Sequence, residues 1–432
     1  MIENEQYRPM PLMLSRRLRD QCHGPLAAMA LLFSAFAYLV LPWPLLVAVP
    51  LLLILAALAA GKDQLDGFPQ RQDKVLMMVL LLYGVCWVVV ELAHGMRFKG
   101  VRDAWPIWLA MVTLVAMVRL KPSAVWFWTG LALGSISAGA WAFWQRIIQG
   151  TSRADGQDPL HAILFGNLGL MTGLLCLAGL SWAMTRNERW RWILLMALGG
   201  LAGLMASAMS GSRGGWIGLP LAIWVLYRGH GKRLSLRWRL MVGACLLALL
   251  GSLYMIPQTG VAKRVHNAVS GVQQYVAGDD EMTSVSARLE MWKGASQLIA
   301  ERPIVGWGTR EYRAAMRERG AEGAQDPSLG RFWHAHNDVL DAWVKRGLPG
   351  LLTLLALYMT PLWLFARGIG SASGERRALA VAGTLLPVAF IDFGLTYSFL
   401  AYPMGGMVYA LLLVILWGLY RRSPPEPQHG ER

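Results

Sequence analysis

Apolar runs long enough to be membrane helices alternate with short polar segments along almost the whole chain. A helix that crosses a bilayer needs roughly 20 predominantly apolar residues. Windows of that kind fall near 24–42, 44–60, 75–93, 104–119, 123–144, 162–184, 190–208, 214–228, 238–256, 349–367, 378–397 and 402–420. The pattern predicts an all-α polytopic membrane protein with about twelve transmembrane helices. One stretch interrupts it. Residues 257–348 are hydrophilic and form a large, partly helical loop between spans nine and ten. The chain thus divides into an N-terminal segment (1–23), spans one to nine (24–256), the long loop (257–348), spans ten to twelve (349–420) and a tail (421–432).

Composition fits this division. Of 432 residues, 55% are hydrophobic and only 16% charged. Mean hydropathy is +0.40, outside the range of soluble globular domains. The 20 tryptophans and 22 methionines suit helices in lipid with aromatic residues at the interfaces. The net charge of +15 comes from short basic runs scattered between apolar segments. A nucleic-acid partner would require one basic patch on a folded domain, so the expected surroundings are membrane lipids. Lys and Arg gather in the short segments on the N-terminal side of the membrane, which predicts cytoplasmic termini and a long loop on the outer face. Cys22, Cys86, Cys176 and Cys245 are isolated, and neither a disulfide framework nor a metal site follows from their spacing.

A polytopic protein with one large hydrophilic loop does its chemistry where that loop meets the bilayer, and the unusual residues are there. Arg213 lies in Ser210-Gly-Ser212-Arg213-Gly214-Gly215-Trp216, a tight outer turn. Glycines there let a ligand approach the backbone, and a guanidinium grips phosphate oxygens in pairs. Arg288 sits in a helical stretch of the loop with Glu290, Trp292 and Lys293, where an ordinary ion pair is the alternative reading. Lys263 and Arg264 follow the ninth span and suit interfacial anchors. His334 and His336, followed by Asn337 and Asp338, stand just before the tenth span. The pair lacks the third ligand of a zinc site and points instead to acid–base work. Asp392 falls near the outer end of the eleventh span, followed by Tyr397; an acid at such depth has a cationic partner, a proton to handle or a helix-packing hydrogen bond. Residues 310–331, with Gly320, Gly323 and Gly330, have the composition of a lid. A phosphate-cradling GxxxxGK loop is absent from the sequence, so nucleotide hydrolysis finds no support.

These pieces together resemble the O-antigen ligase superfamily of bacterial inner-membrane glycosyltransferases. The resemblance rests on His336-Asn337-x-x-Leu340 followed by Gly347-x-x-Gly350, on Pro303-Ile-Val-Gly306-Trp-Gly308, on Ser212-Arg213-Gly214 and on Arg288 with Trp292. It implies a GT-C-like fold at the inner membrane of a Gram-negative bacterium. It also implies transfer of a glycan from undecaprenyl pyrophosphate to a hydroxyl of lipid A–core oligosaccharide at the periplasmic face, with inversion and without metal or other cofactor. In that reading Arg213 and Arg288 hold the pyrophosphate and His336 is the general base. Arg264, His334, Asn337 and Asp392 support them. An O-antigen polymerase or a protein O-oligosaccharyltransferase would use the same donor. A secondary transporter is the alternative of a different class, although transporters usually carry repeated halves, and here only the second half carries a long loop.

Overall fold

The computed structural model describes residues 24–33, 48–59, 67–95, 98–156, 161–212, 214–233, 284–322 and 332–423, with a few further positions between 235 and 277. Arg213, Lys263, Arg264 and most of the expected ninth span lie outside the described residues. The described regular elements are all helical: α1 (Gly24–Phe33), α2 (Ala48–Ala59), α3 (Arg71–Ala93), α4 (Phe98–Leu120), α5 (Ala124–Phe143), α6 (Ala162–Ala178), α7 (Leu180–Ala183), α8 (Arg189–Ser210), α9 (Leu219–Gly229), α10 (Ser284–Glu301), α11 (Gly308–Ala321), α12 (Asp338–Ala366), α13 (Gly374–Thr396) and α14 (Pro403–Tyr420). Among the described residues, six spans are long and apolar enough to cross a membrane: α3, α6 continued through α7, α8, α12, α13 and α14. This is the polytopic all-α architecture expected from the hydrophobic pattern.

Helices α13 and α14 form the centre of the bundle. Nearly every residue of both is buried, from Ala378 to Phe393 and from Met404 to Tyr420. A helix apolar on all sides needs apolar surroundings, lipid or other helices, and here other helices supply them. The outer helices instead expose large apolar side chains such as Leu82 and Val89 of α3 and Leu201 of α8, as a surface facing lipid does. Within the bundle, α6 and α8 meet through small residues, with Gly169 and Gly173 lying against Gly203 and Gly200. Between lipid-embedded helices, such close backbone approach supplies the packing contacts that drive association. At the end away from the long loop, buried Asp73 accepts a hydrogen bond from Trp417 Nε1 (2.8 Å) and pairs with Arg421 (3.0 Å).

Two elements differ from the hydrophobic reading. The window 214–228 is not one helix: a 3-10 turn (Gly214–Trp216) precedes α9, which has 11 residues. At 1.5 Å per residue α9 is far shorter than a bilayer of ~30 Å. The tenth span also starts earlier than its apolar run, at Asp338, with a break at Gly347 (φ +60°, ψ −162°). Its first part therefore belongs structurally to the loop.

The loop has a small core of its own. Helices α10 and α11 pack on that first part of α12 through Leu298, Ile299, Tyr312, Met316, Ala335 and Val344. Much of the segment with lid-like composition is thus the ordered helix α11, with Tyr312 and Met316 buried. Gly347 holds the arrangement together. Leu348 N donates to Pro303 O (2.9 Å), Trp307 N to Val344 O (2.9 Å), and Trp343 Nε1 to Pro303 O (3.0 Å). A Cβ on Gly347 would fall on the carbonyl of Ile304, so the residue must be glycine both for its left-handed φ and for this contact. Thr309 and Glu311 of α11 fasten the loop to α3, through Glu91 and His94.

Candidate functional site

The loop and the bundle meet along two short segments, 332–341 and 395–402. The first is held at three points. Asn337 caps α12, its Oδ1 accepting from the amides of Val339 and Leu340 at 3.0 Å each. Its Nδ2 donates to Leu395 O (3.3 Å) and its own amide donates to Ser398 Oγ (3.0 Å). Asp338 reaches the same segment, accepting from Leu400 N (3.0 Å) and from Tyr358 Oη (3.1 Å). Asp341 accepts from Ala335 N (2.9 Å) and is paired with buried Lys345. Such charge-assisted and cap hydrogen bonds fix backbone position rather than perform chemistry.

What they position is His336. Its φ is +51°, a left-handed conformation uncommon outside glycine that persists only where its surroundings enforce it. Here Ala335 and Asn337 on either side are tied down as described. The His336 ring is half-buried among Phe332 (centroid distance 5.1 Å), Tyr397 (5.3 Å) and His334 (4.2 Å). Its Nδ1 is buried and has no hydrogen-bond partner among the described residues. Burial, then the positive charge of Arg288, pull its pKa down to about 4 against the opposing charge of Asp341. The imidazole is therefore neutral at pH 7 and has a free lone pair to offer.

His334 is 3% exposed. Burial first, then the neighbouring His336 and Lys345, push its pKa down to about 2. Its Nε2 is 2.9 Å from the Tyr402 hydroxyl, and its Nδ1 is buried without a partner among the described residues. Arg288 lies in the first half of α10, half-buried, and its charge bears on His336. Trp292 follows it one turn later on the same helical face, with a buried indole N–H that has no partner among the described residues.

Asp392 is 4% exposed and accepts a hydrogen bond from Gly218 N (2.7 Å). It lines a cavity with Leu174, Gly215, Leu219 and Phe393, and it secures the start of α9 against α13. Ser212 and Gly214 are each set against a neighbouring helix. Ser212 Oγ donates to Asn167 Oδ1 (3.3 Å), and a Cβ on Gly214 would meet the Thr396 side chain. Gly214 thus lies beside the residue that precedes Tyr397.

Sequence reasoning did not single out His161 or Tyr402. His161 caps α6 by accepting from Ile163 N through Nδ1 (3.3 Å), and its Nε2 is 2.9 Å from the Tyr397 hydroxyl. Tyr402 precedes the proline that starts α14 and stacks on Tyr397 at 5.5 Å and 10°. The available signal was positional, since each lies at the end of an apolar run that faces the long loop. Among the described residues, no three His, Cys, Asp or Glu side chains gather as a metal-binding group.

A family model described as O-antigen ligase matches residues 198–355. The match runs from within α8 to within α12 and takes in Arg213, Arg288, His334, His336 and Asn337. An uncharacterized protein of Haemophilus influenzae is 30% identical over 206 residues, covering 48% of this chain and 52% of that protein. The chain thus spans about half the length of the curated relative it matches.

Proposed function

We propose that the chain is an O-antigen ligase, a reading supported by the O-antigen ligase family model that matches residues 198–355. It transfers O-antigen polysaccharide from undecaprenyl pyrophosphate to a sugar hydroxyl of lipid A–core oligosaccharide. The reaction inverts the anomeric centre, requires no metal, and takes place at the periplasmic face of the inner membrane. His336 is the observation that carries the reading: a neutral imidazole with a buried, unpartnered nitrogen, on the segment where the hydrophilic loop joins the bundle.

The chemistry follows from the charges involved. As the anomeric C–O bond breaks, negative charge grows on the pyrophosphate leaving group. Arg213 and Arg288 bind that charge, and fixed cations aimed at it lower the barrier. His336 takes the proton of the acceptor hydroxyl as its oxygen attacks, a contribution of roughly 10²–10⁴-fold. Asn337 positions His336, and Asp392 supports the turn that carries Arg213. Arg264 is a further cation for the pyrophosphate. Pyrophosphate leaves on the polyprenyl chain, and the proton ends on the imidazole.

The test mixes purified protein with an undecaprenyl-pyrophosphate-linked glycan and lipid A–core in the presence of chelator. A gel shift of lipid A–core to a glycosylated form, lost in His336→Ala, is the expected result. Longer donor chains with untouched lipid A–core would identify a polymerase instead. Solute accumulation in proteoliposomes without glycan transfer would overturn the enzyme reading altogether.

A further inference from the structure

His334 is the one prominent polar residue of the signature segment that the proposed chemistry leaves without a task. Its surroundings define its protonation. Tyr402, stacked on Tyr397, places its hydroxyl 2.9 Å from His334 Nε2. A phenol is the stronger acid of the two and the imidazole the stronger base, so Tyr402 donates its single hydrogen to that nitrogen. The remaining hydrogen of the neutral His334 ring then lies on Nδ1.

That Nδ1 is buried and has no partner among the described residues. A buried N–H left without an acceptor is costly, ~1–3 kcal/mol. The ring that carries it lies 4.2 Å, centroid to centroid, from His336, whose Nδ1 is likewise buried and unpartnered. Two neighbouring imidazoles with orphaned nitrogens, one of them a fixed donor, form a binding site for an oxygen that both donates and accepts.

We infer that His334, locked as its Nδ1–H tautomer by Tyr402, donates a hydrogen bond to the acceptor hydroxyl oxygen and orients it for His336. The two histidines then divide the labour. His334 holds the oxygen through its lone pair, while His336 receives its proton. Asp341 and Asn337 keep the two rings in register through the backbone at 335 and 337. This role rests on the proposed transfer to a hydroxyl. The tautomer itself does not, and it can be read on the protein without substrate.

The experiment has a spectroscopic and a kinetic arm. In protein carrying ¹⁵N-labelled histidine at pH 7, the His334 signal, assigned by its loss in His334→Asn, is expected to report the Nδ1–H tautomer. Tyr402→Phe, which removes only a hydroxyl, is expected to release it into a tautomer mixture. An Nε2–H or doubly protonated His334 in the wild type would overturn the proposal. In the transfer assay, His334→Phe should raise KM for the hydroxyl acceptor about tenfold, the effect of one lost hydrogen bond, with donor KM unchanged. His334→Asn places an amide N–H near the Nδ1 position and should recover most of that loss. If His334→Asn were no better than His334→Phe, the ring would only fill space and the proposal would fall. Absence of glycan transfer by the wild type would instead defeat the ligase reading, with the tautomer still decided by the spectrum.

Discussion

Lys345 Nζ lies 2.8 Å from Asp341 Oδ1, and both side chains are buried, at 1% and 3% exposure. The ammonium also faces the rings of Tyr312 (5.5 Å) and Trp333 (5.1 Å). One ion pair thus joins the core of the long loop to the segment that carries both histidines, because the Asp341 carboxylate also holds Ala335 N. Removing one partner leaves an uncompensated buried charge, at ~3–5 kcal/mol. Lys345→Met should therefore lower the unfolding temperature strongly. Lys345→Met with Asp341→Leu should recover stability but not transfer activity, since the tether of Ala335 is gone. Thermal unfolding in detergent and the gel-shift assay, measured on the same preparations, check both statements.

Gly347 offers a sharper test of how the loop is anchored. Its φ of +60° and the Ile304 carbonyl together exclude a side chain. Gly347→Ala should cost at least ~1–3 kcal/mol and free the 303–307 strap from α12. Limited proteolysis is expected to cut this variant in the loop while the bundle stays intact. Gly370, where an added Cβ would meet nothing within 4 Å, serves as the control: Gly370→Ala should leave the pattern unchanged.

How far the sequence reaches is visible in these same residues. Apolar runs are read correctly as helices because a bilayer demands long stretches without charge, and α13 and α14 appear almost where expected. Where helix and apolar run do not coincide, the pattern misleads. The first turns of α12 are polar because they pack on the loop rather than on lipid, and the window 214–228 is apolar yet broken by a glycine turn that Asp392 secures. His336, Asn337 and Asp338 are legible as a motif. Their partners are not, since Leu395, Ser398, Leu400 and Tyr402 lie about 60 residues away in sequence, and Leu395 and Leu400 act through backbone atoms. His161 comes from still further off, and only the packing of α6 beside α13 brings it to Tyr397.

Asn337 separates capping from chemistry. Asn337→Asp keeps the acceptor for Val339 and Leu340 but loses the donor to Leu395, whereas Asn337→Ala loses both. The cap is worth about 1 kcal/mol, so Asn337→Ala should be the less stable of the two in thermal unfolding. Both should lose transfer activity, because either change loosens the backbone that holds His336 at its positive φ. An Asn337→Ala variant with wild-type kcat would show that His336 needs no such support.

The depressed pKa of His336 has consequences of a definite sign. In the folded protein the ring stays neutral down to about pH 4, whereas in the unfolded chain it protonates near 6.5. Between those values the unfolded state binds more protons, so stability falls as the pH drops from about 6.5 towards 4. His334, held down to about 2, adds to the loss in the same direction and extends it further into acid. Activity should behave differently. A base that remains neutral to about pH 4 keeps transfer running well below pH 6.5, so the acid limb of kcat/KM should fall near pH 4–5, provided the fold survives there. Arg288→Gln removes the cation that disfavours protonation, and this limb should then move upward in pH. An acid limb near 6.5 in the wild type, or one unmoved by Arg288→Gln, would show that His336 is not the group whose deprotonated form drives the reaction.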